Sequence, residues 1–112
     1  MSELIKNVLK ESVFTLADLV QVEEGRVNSL TLSQTPATKV TLFAIDADEG
    51  MSSHAAGGDA MVNVLEGTGE ITINGVAHEV GAGQSIVIPA GAPHSVLGVT
   101  AFKMLLVVVF AS

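Results

Sequence analysis

The feature that most constrains the fold of this chain is a series of short strand-like segments, each bounded by turn-forming residues. The segments recur about every 8–12 residues and are rich in β-branched side chains, a spacing typical of a β-sandwich or barrel. No helical pattern beyond residue 25 is long enough to connect parallel strands, so we expect an all-β, antiparallel domain. The predicted strands are residues 26–33, 39–46, 60–65, 70–73, 76–80, 85–88, 94–98 and 101–110.

The strongest local signal is the dipeptide Asn74-Gly75, which lies between two of these segments. A two-residue type I′ turn needs a positive φ at both positions, and Asn followed by Gly adopts this geometry at the least steric cost. The sequence therefore predicts an antiparallel hairpin over residues 70–80.

Residues 1–24 differ in pattern from the remainder. Thr15 is a candidate cap for a short turn ahead of Asp18. We therefore divide the chain into an N-terminal arm, residues 1–24, with one or two helical turns, and a barrel domain, residues 25–112. Apolar residues recur at near-helical spacing early in the arm, at Leu4, Ile5, Val8 and Leu9.

The last segment, residues 101–110, is apolar on both faces. A strand with one face in water would alternate with polar residues, so both faces are expected to be covered. One face belongs to the barrel interior, and the second is covered either by the arm or by another subunit; we expect a homodimer. The first face holds Phe102, Met104, Leu106, Val108 and Phe110, and the second holds Leu105, Val107 and Val109, after Lys103.

Charge and composition exclude several classes of partner. The chain has 12 acidic and 5 basic residues and a formal charge of -7. This charge repels phosphate backbones and anionic lipid, so we expect neither a nucleic-acid nor a membrane partner.

The absence of cysteine excludes disulfides and thiolate metal sites. The N-terminus lacks the apolar stretch of a signal peptide, and the longest apolar run, residues 104–111, is far shorter than the roughly 20 residues of a spanning helix; we expect a cytoplasmic protein.

Two of the three histidines are candidate functional groups. His54 follows an acidic, glycine-containing turn, and His94 follows the Pro- and Gly-rich loop of residues 89–93. Side chains that form sites are often mounted on such loops at the ends of strands. His78 lies beside Glu79 in the predicted hairpin, where a solvent-facing position explains it.

The stretches around these two histidines resemble the two sequence motifs of the cupin family. Residues 50–67, GMSSHAAGGDAMVNVLEG, are similar to the first motif, which runs from a glycine through His-x-His and a Glu to a strand that ends in glycine. Residues 83–98, GQSIVIPAGAPHSVLG, are similar to the second, with Gly83, Pro89, Gly91 and His94 at the motif's spacing. The resemblance covers about residues 38–110 and implies a double-stranded β-helix, the jelly-roll barrel of RmlC-like cupins, which often dimerises.

The resemblance also implies a metal site. Metal-binding cupins hold a divalent ion with two His and a Glu from the first motif and one His from the second. Carried onto this chain, His54 and His94 are candidate ligands for a divalent metal such as Zn, Ni, Mn or Fe. The first motif is degenerate, because Ala56 stands at the second His position and Ala60 at the Glu position; the terminal Asn of the second motif is Gly98. Since such sites usually need three or four protein ligands, the remaining positions fall to water or substrate.

Asp59 lies one residue before the position of the missing Glu. Strand alternation points its side chain away from the interior, whereas a bulge at Gly57-Gly58 would turn it inward as a ligand. The favoured interpretation is a surface or loop-capping carboxylate.

The same alternation predicts a small apolar pocket. If the side chains of His54 and Ala56 point inward, those of Val62 and Val64 follow, and His94 brings Val96 with it. The pocket would then be apolar with two imidazoles as its polar groups, which is common in small-ligand sites. The predicted ligand-binding residues are Phe43, Ala56, Ala60, Val62 and Met104.

Three functions are compatible with this pattern. The first is binding of a small ligand, a divalent metal or both through His54 and His94. The second is a metal-dependent dioxygenase or isomerase acting on a small organic substrate, with an imidazole as general base. No second carboxylate, lysine or tyrosine is placed near the pocket by the pattern, which leaves little acid–base chemistry. The third is a structural dimeric barrel with a filled interior. The missing ligands favour the first.

Overall fold

The computed structural model describes residues 4–111, and the expected all-β architecture is confirmed within them. All eight predicted strands are present with their bounds shifted by two residues or fewer. The nine strands are β1 Val27–Gln34, β2 Thr38–Ile45, β3 Gly50–His54, β4 Gly58–Glu66, β5 Thr68–Ile73, β6 Val76–Gly81, β7 Ser85–Ile88, β8 His94–Gly98 and β9 Phe102–Phe110.

The strands form two sheets that enclose the core. One sheet has the order β1-β2-β9-β4-β7, and the other has the order β3-β8-β5-β6. Every neighbouring pair is antiparallel. Most neighbours are distant along the chain because the polypeptide crosses repeatedly between the sheets. This topology is the predicted jelly-roll barrel.

The core lies between the inward faces of the two sheets and is almost entirely aliphatic. Phe102 is its largest fully buried side chain, at 1% exposure. The chain crosses between β4 and β5 directly against this ring, at Gly67, which has a φ of +74°. A Cβ on Gly67 would collide with the carbonyl oxygen of Ala101, and one on Gly69 would lie 2.6 Å from the Phe102 ring. Glycine is therefore required where the backbone passes over this side chain.

Local sequence signals predict the hairpin between β5 and β6 but do not predict strand β3. Asn74 and Gly75 have φ angles of +49° and +80°, which confirms the type I′ hairpin between β5 and β6. Strand β3 was not predicted. Its residues show no apolar alternation and are mostly exposed. They are held in the sheet by their pairing with β8, a partner that is distant along the chain.

Among its described residues, the N-terminal arm contains one 3₁₀ turn, Leu16–Leu19. Thr15 precedes it but makes no side-chain capping bond; its carbonyl oxygen accepts from the backbone N–H of Asp18 at 3.0 Å. The described residues before Thr15 form no helix, because the apolar repeat there is too short to sustain one. The arm instead packs its apolar side chains against the outer face of the five-stranded sheet, forming a second cluster around Val20, Leu32, Leu42 and Ala44.

Lys103 fastens the arm to this outer face. Its ammonium donates to the carbonyl oxygen of Ala17 at 2.7 Å and lies 3.8 Å from a carboxylate oxygen of Glu66. The residue is only 8% exposed. The arm thus covers the first half of the outer face of β9, whereas Val109 at the far end is 55% exposed. Of the two expected covers for this face, the structure shows the arm. No helix among residues 4–111 has the length and apolar character to cross a membrane.

Candidate functional site

His54 and His94 meet at one edge of the four-stranded sheet. His54 is the last residue of β3 and His94 the first of β8, and they are direct partners in the ladder of these two strands. Their ring centroids lie 4.3 Å apart with an interplanar angle of 57°. Cross-strand pairing therefore joins two residues that the sequence places far apart.

Both imidazoles are oriented by hydrogen bonds to the backbone. The Nδ1 atom of His54 lies 3.0 Å from the carbonyl oxygen of Ser52, and Nδ1 of His94 lies 3.1 Å from the carbonyl oxygen of Ala92. A carbonyl oxygen can only accept, so each Nδ1 carries the hydrogen. In the neutral ring, Nε2 then holds the free lone pair. No described residue hydrogen-bonds to either Nε2, which leaves both atoms available to a ligand.

The two rings line a cavity of about 480 Å³ that opens to solvent. A deeper lobe of about 240 Å³ shares five of its residues, including both histidines and Phe43. The volume falls in the range of small-molecule sites. The outer lobe is lined by Ser29, Thr31, Lys39, Thr41, Phe43, His54, Ala56, Gly57, Ala60, His94, Leu106, Val108 and Phe110.

The structure brings all the sequence-predicted site residues to this cavity. Ala56 and Ala60 line the outer lobe beside the histidines and Phe43. Val62 and Met104 line the deeper lobe. Val96 also lines the deeper lobe, whereas Val64 is buried in the core without reaching it.

Asp59 stays outside the cavity and fixes the loop in front of His94. Its Oδ1 accepts from the backbone N–H of Ala90 at 2.8 Å, as a loop-capping carboxylate. The N–H of Gly91 donates to the carbonyl oxygen of Ala56 at 2.9 Å. The loop of residues 89–93 is thereby tied to β4 and to the segment before it, which positions the start of β8.

The sequence interpretation that no lysine lies near the pocket was wrong. Lys39 lines both lobes of the cavity, together with Thr41 and Phe43. All three lie on β2 at alternate positions, so they share its inward face. Because Phe43 was already expected to face inward, the same alternation would have identified Lys39 and Thr41. Ser29 and Thr31 on β1 were missed because this edge strand was not placed against the pocket.

The donor set does not fit a metal ion held by the protein alone. Among residues 4–111 no group of three or more His, Cys, Asp or Glu side chains is arranged to hold a metal. The alanines at positions 56 and 60 supply space in place of two ligands. Two imidazoles are fewer than the three or four protein ligands of an ordinary site.

Comparison with known proteins agrees with the observed fold. The family profile of the cupin domain matches residues 41–110. The chain belongs to the cupin family. This cupin is similar over 99% of its length to a conserved protein of unknown function from Streptococcus pyogenes, with 40% sequence identity, 97% coverage of that chain and a TM-score of 0.96.

Other solved cupins show the same barrel. A cupin superfamily protein from Desulfitobacterium hafniense is 27% identical, with 96% of this chain and 98% of that chain covered and a TM-score of 0.91. A conserved barrel domain protein from Leptotrichia buccalis is 38% identical, with a TM-score of 0.84; the match covers 86% of this cupin and 47% of that chain. No curated protein matches the sequence.

Proposed function

We propose that this cupin binds a small organic molecule in the cavity, with the Nε2 atoms of His54 and His94 as its polar anchors. The observation that carries the proposal is the pair of imidazoles on the cavity wall, each with Nδ1 held by a backbone carbonyl and Nε2 left without a protein partner. Two oriented acceptors in a mostly apolar cavity can hydrogen-bond a ligand and fix its orientation.

A purely structural barrel is the less favoured alternative. A filled interior would leave little space between the sheets, whereas this barrel keeps about 480 Å³ in its outer lobe. The small side chains of Ala56 and Ala60 contribute directly to that space. Ala60 also belongs to the buried core around Phe102 and Met104, whereas Ala56 lies outside that core.

A divalent metal completed by the ligand is the second candidate. An Nδ1–H bonded to a backbone carbonyl is the arrangement that orients metal-ligating histidines. In this form Zn, Ni, Mn or Fe would take two ligands from His54 and His94 and the others from water or from the organic molecule. A dioxygenase or isomerase activity would depend on such an ion.

The test uses protein purified without a histidine tag. A small-molecule screen by thermal shift should find compounds that raise the melting temperature, because a ligand of the native state stabilises it. A His54→Ala/His94→Ala double variant should lose that shift, and His78→Ala, which changes an exposed histidine on β6, should keep it.

Metal analysis after supplementation with Zn, Ni, Mn and Fe separates the two candidates. One ion per chain, lost in the double variant, supports the metal form; hits that bind the double variant unchanged contradict the proposal.

We also propose that this cupin forms a homodimer through the part of the five-stranded sheet that the arm leaves open. One apolar row crosses three strands there, because Val87 pairs with Met61 and Met61 with Val107. The next residue of the row, Val40, packs against the cluster that the arm forms. Met61 and Val87 are 40% and 54% exposed. Self-association of two such faces about a two-fold axis would cover the row in both copies. Separately, we propose that the protein is located in the cytoplasm.

A further inference from the structure

The cavity carries one cationic group besides its histidines. Lys39 lies on the five-stranded sheet and lines both lobes, whereas His54 and His94 belong to the four-stranded sheet. Alternation along β2 places Lys39 on the same inward face as Thr41 and Phe43. The two sheets thus contribute different polar groups to one cavity.

The charge of this cavity is opposite to that of the whole chain. The protein has a formal charge of -7, with 12 acidic residues. None of the described residues that line either lobe is Asp or Glu. Asp59 directly precedes the cavity residue Ala60 in the sequence, but its carboxylate lies outside the cavity and accepts a hydrogen bond from the N–H of Ala90. A ligand in the cavity therefore meets a lysine with no acidic neighbour on the wall.

Two polar groups on this wall have no partner within the part of the chain that the structure describes. The structure gives the Lys39 ammonium neither an ion pair nor a hydrogen bond. By contrast, Lys103 is bonded to Ala17, and Arg26 lies 3.7 Å from Glu23. The hydroxyl of Thr41 also makes no hydrogen bond to the described residues. Thr41 lines the cavity, and no fully buried side-chain oxygen of the described residues lacks a partner, so this hydroxyl is open to the cavity, where a ligand can reach it.

We propose that the cavity selects a small organic carboxylate, which deepens the proposed function and rests on it. Lys39 pairs electrostatically with the carboxylate, and the hydroxyls of Thr41 and its cross-strand partner Thr31 donate to the carboxylate oxygens. His54 and His94 accept at Nε2 from a hydroxyl elsewhere on the ligand. The apolar middle of the ligand lies against aliphatic and aromatic wall residues: Phe43, Leu106, Val108 and Phe110.

A carboxylate fits this wall better than a phosphate. Phosphate sites typically use an arginine fork or a concave series of backbone N–H groups. The described lining holds no arginine, and its cation is a single lysine. The ammonium of Lys39 with the paired hydroxyls of Thr31 and Thr41 matches the single charge and two oxygens of a carboxylate.

The test compares acids with neutral amides of the same shape. The probes are para-hydroxybenzoate and para-hydroxybenzamide, and ω-hydroxyhexanoate and ω-hydroxyhexanamide, titrated by amide-resonance NMR, with inorganic phosphate as a further arm. We expect each acid to shift the resonances of cavity residues and to bind about tenfold or more tightly than its amide. Added salt should reduce this preference. Lys39→Met should remove it, whereas Lys6→Met, which deletes the same charge from the exposed arm, should preserve it.

Several results would overturn the carboxylate proposal. They are equal affinity for acids and amides, no resonance shifted by either acid at millimolar concentration, tighter binding of phosphate than of the acids, or an unchanged preference in Lys39→Met. The double variant His54→Ala/His94→Ala separates this failure from failure of the proposed function. If amide binding still depends on the histidines while the charge preference is absent, only the carboxylate inference fails.

Discussion

His54 and His94 are partners in the same cross-strand pair, yet one imidazole is exposed and the other is buried. His94 is 5% exposed, whereas His54 lies at the open edge of the barrel. The difference arises because β3 is the edge strand of its sheet and β8 lies between β3 and β5. Removal of the imidazole should therefore affect the stability of the fold differently at the two positions.

Replacing these histidines one at a time should separate stability from binding. His94→Ala removes a buried ring and its bond to the Ala92 carbonyl, so we expect the free energy of unfolding to fall by about 1–3 kcal/mol. His54→Ala should change it by less than about 0.5 kcal/mol, because the ring is exposed. Both variants should bind cavity ligands more weakly. Urea unfolding measures the first effect, and equal destabilisation by the two variants would contradict the burial argument.

Restoring the missing cupin ligands should create a metal site. Ala56 and Ala60 line the cavity beside both histidines, so Ala56→His with Ala60→Glu places four donors around one space. We expect this double variant to retain one divalent ion per chain after dialysis and to melt at a higher temperature with zinc than without it.

The matched control combines Ala55→His with Ala60→Glu, because Ala55 is exposed and does not line the cavity. This control should retain less metal. Equal metal content in the two double variants would show that positions 56 and 60 do not converge with the histidines.

Lys103 should contribute far more to stability than the exposed ion pair of Arg26. Lys103→Met keeps an apolar stem but leaves the Ala17 carbonyl without its donor, which is expected to cost about 1–3 kcal/mol. Arg26→Met breaks a pair with Glu23 whose side chains are 70% and 55% exposed, so a change under about 1 kcal/mol is expected. Hydrogen exchange of the arm should accelerate only in Lys103→Met; unchanged protection would mean that the apolar contacts alone hold the arm.

Gly67 should tolerate alanine much less well than Gly75. Both have a positive φ, at +74° and +80°, so both variants carry the left-handed backbone penalty of roughly 1–2 kcal/mol. A Cβ at Gly67 would also collide with the Ala101 carbonyl, whereas nothing lies within 4 Å at Gly75. We expect Gly67→Ala to be the more destabilising in thermal unfolding by at least about 1 kcal/mol. If the two variants lose similar stability, the positive φ angle alone accounts for the destabilisation.

The proposed dimer should depend on the apolar row of the five-stranded sheet. Met61→Glu puts a charge at the centre of that row, and burying an unpaired carboxylate would strongly oppose association. Sedimentation at micromolar concentration should show a dimer for the unchanged protein and an 11.5 kDa monomer for the variant. Val76→Glu, a matched change at an exposed residue of the other sheet, should remain dimeric. A monomeric unchanged protein would end the proposal.

Much of the architecture is determined by the sequence, because its signals are local. Alternation and turn residues identify eight of the nine strands among residues 4–111, and the hairpin at Asn74-Gly75 depends on the φ preferences of two neighbouring residues. The inward face of β9 also follows from alternation, with Met104 and Val108 among its buried residues. Strand β3 carries no comparable local signal, since pairing with β8 holds it.

The candidate site depends on relations that no local pattern contains. The motif resemblance selects His54 and His94, but only the register of β3 and β8 brings their rings within 4.3 Å. Only the arrangement of the two sheets places Lys39 at the same cavity, and only the packed arm shows what covers the outer face at Lys103. The physical reason is that side-chain periodicity specifies which face of a strand is buried, whereas the partner of that face is specified by tertiary packing.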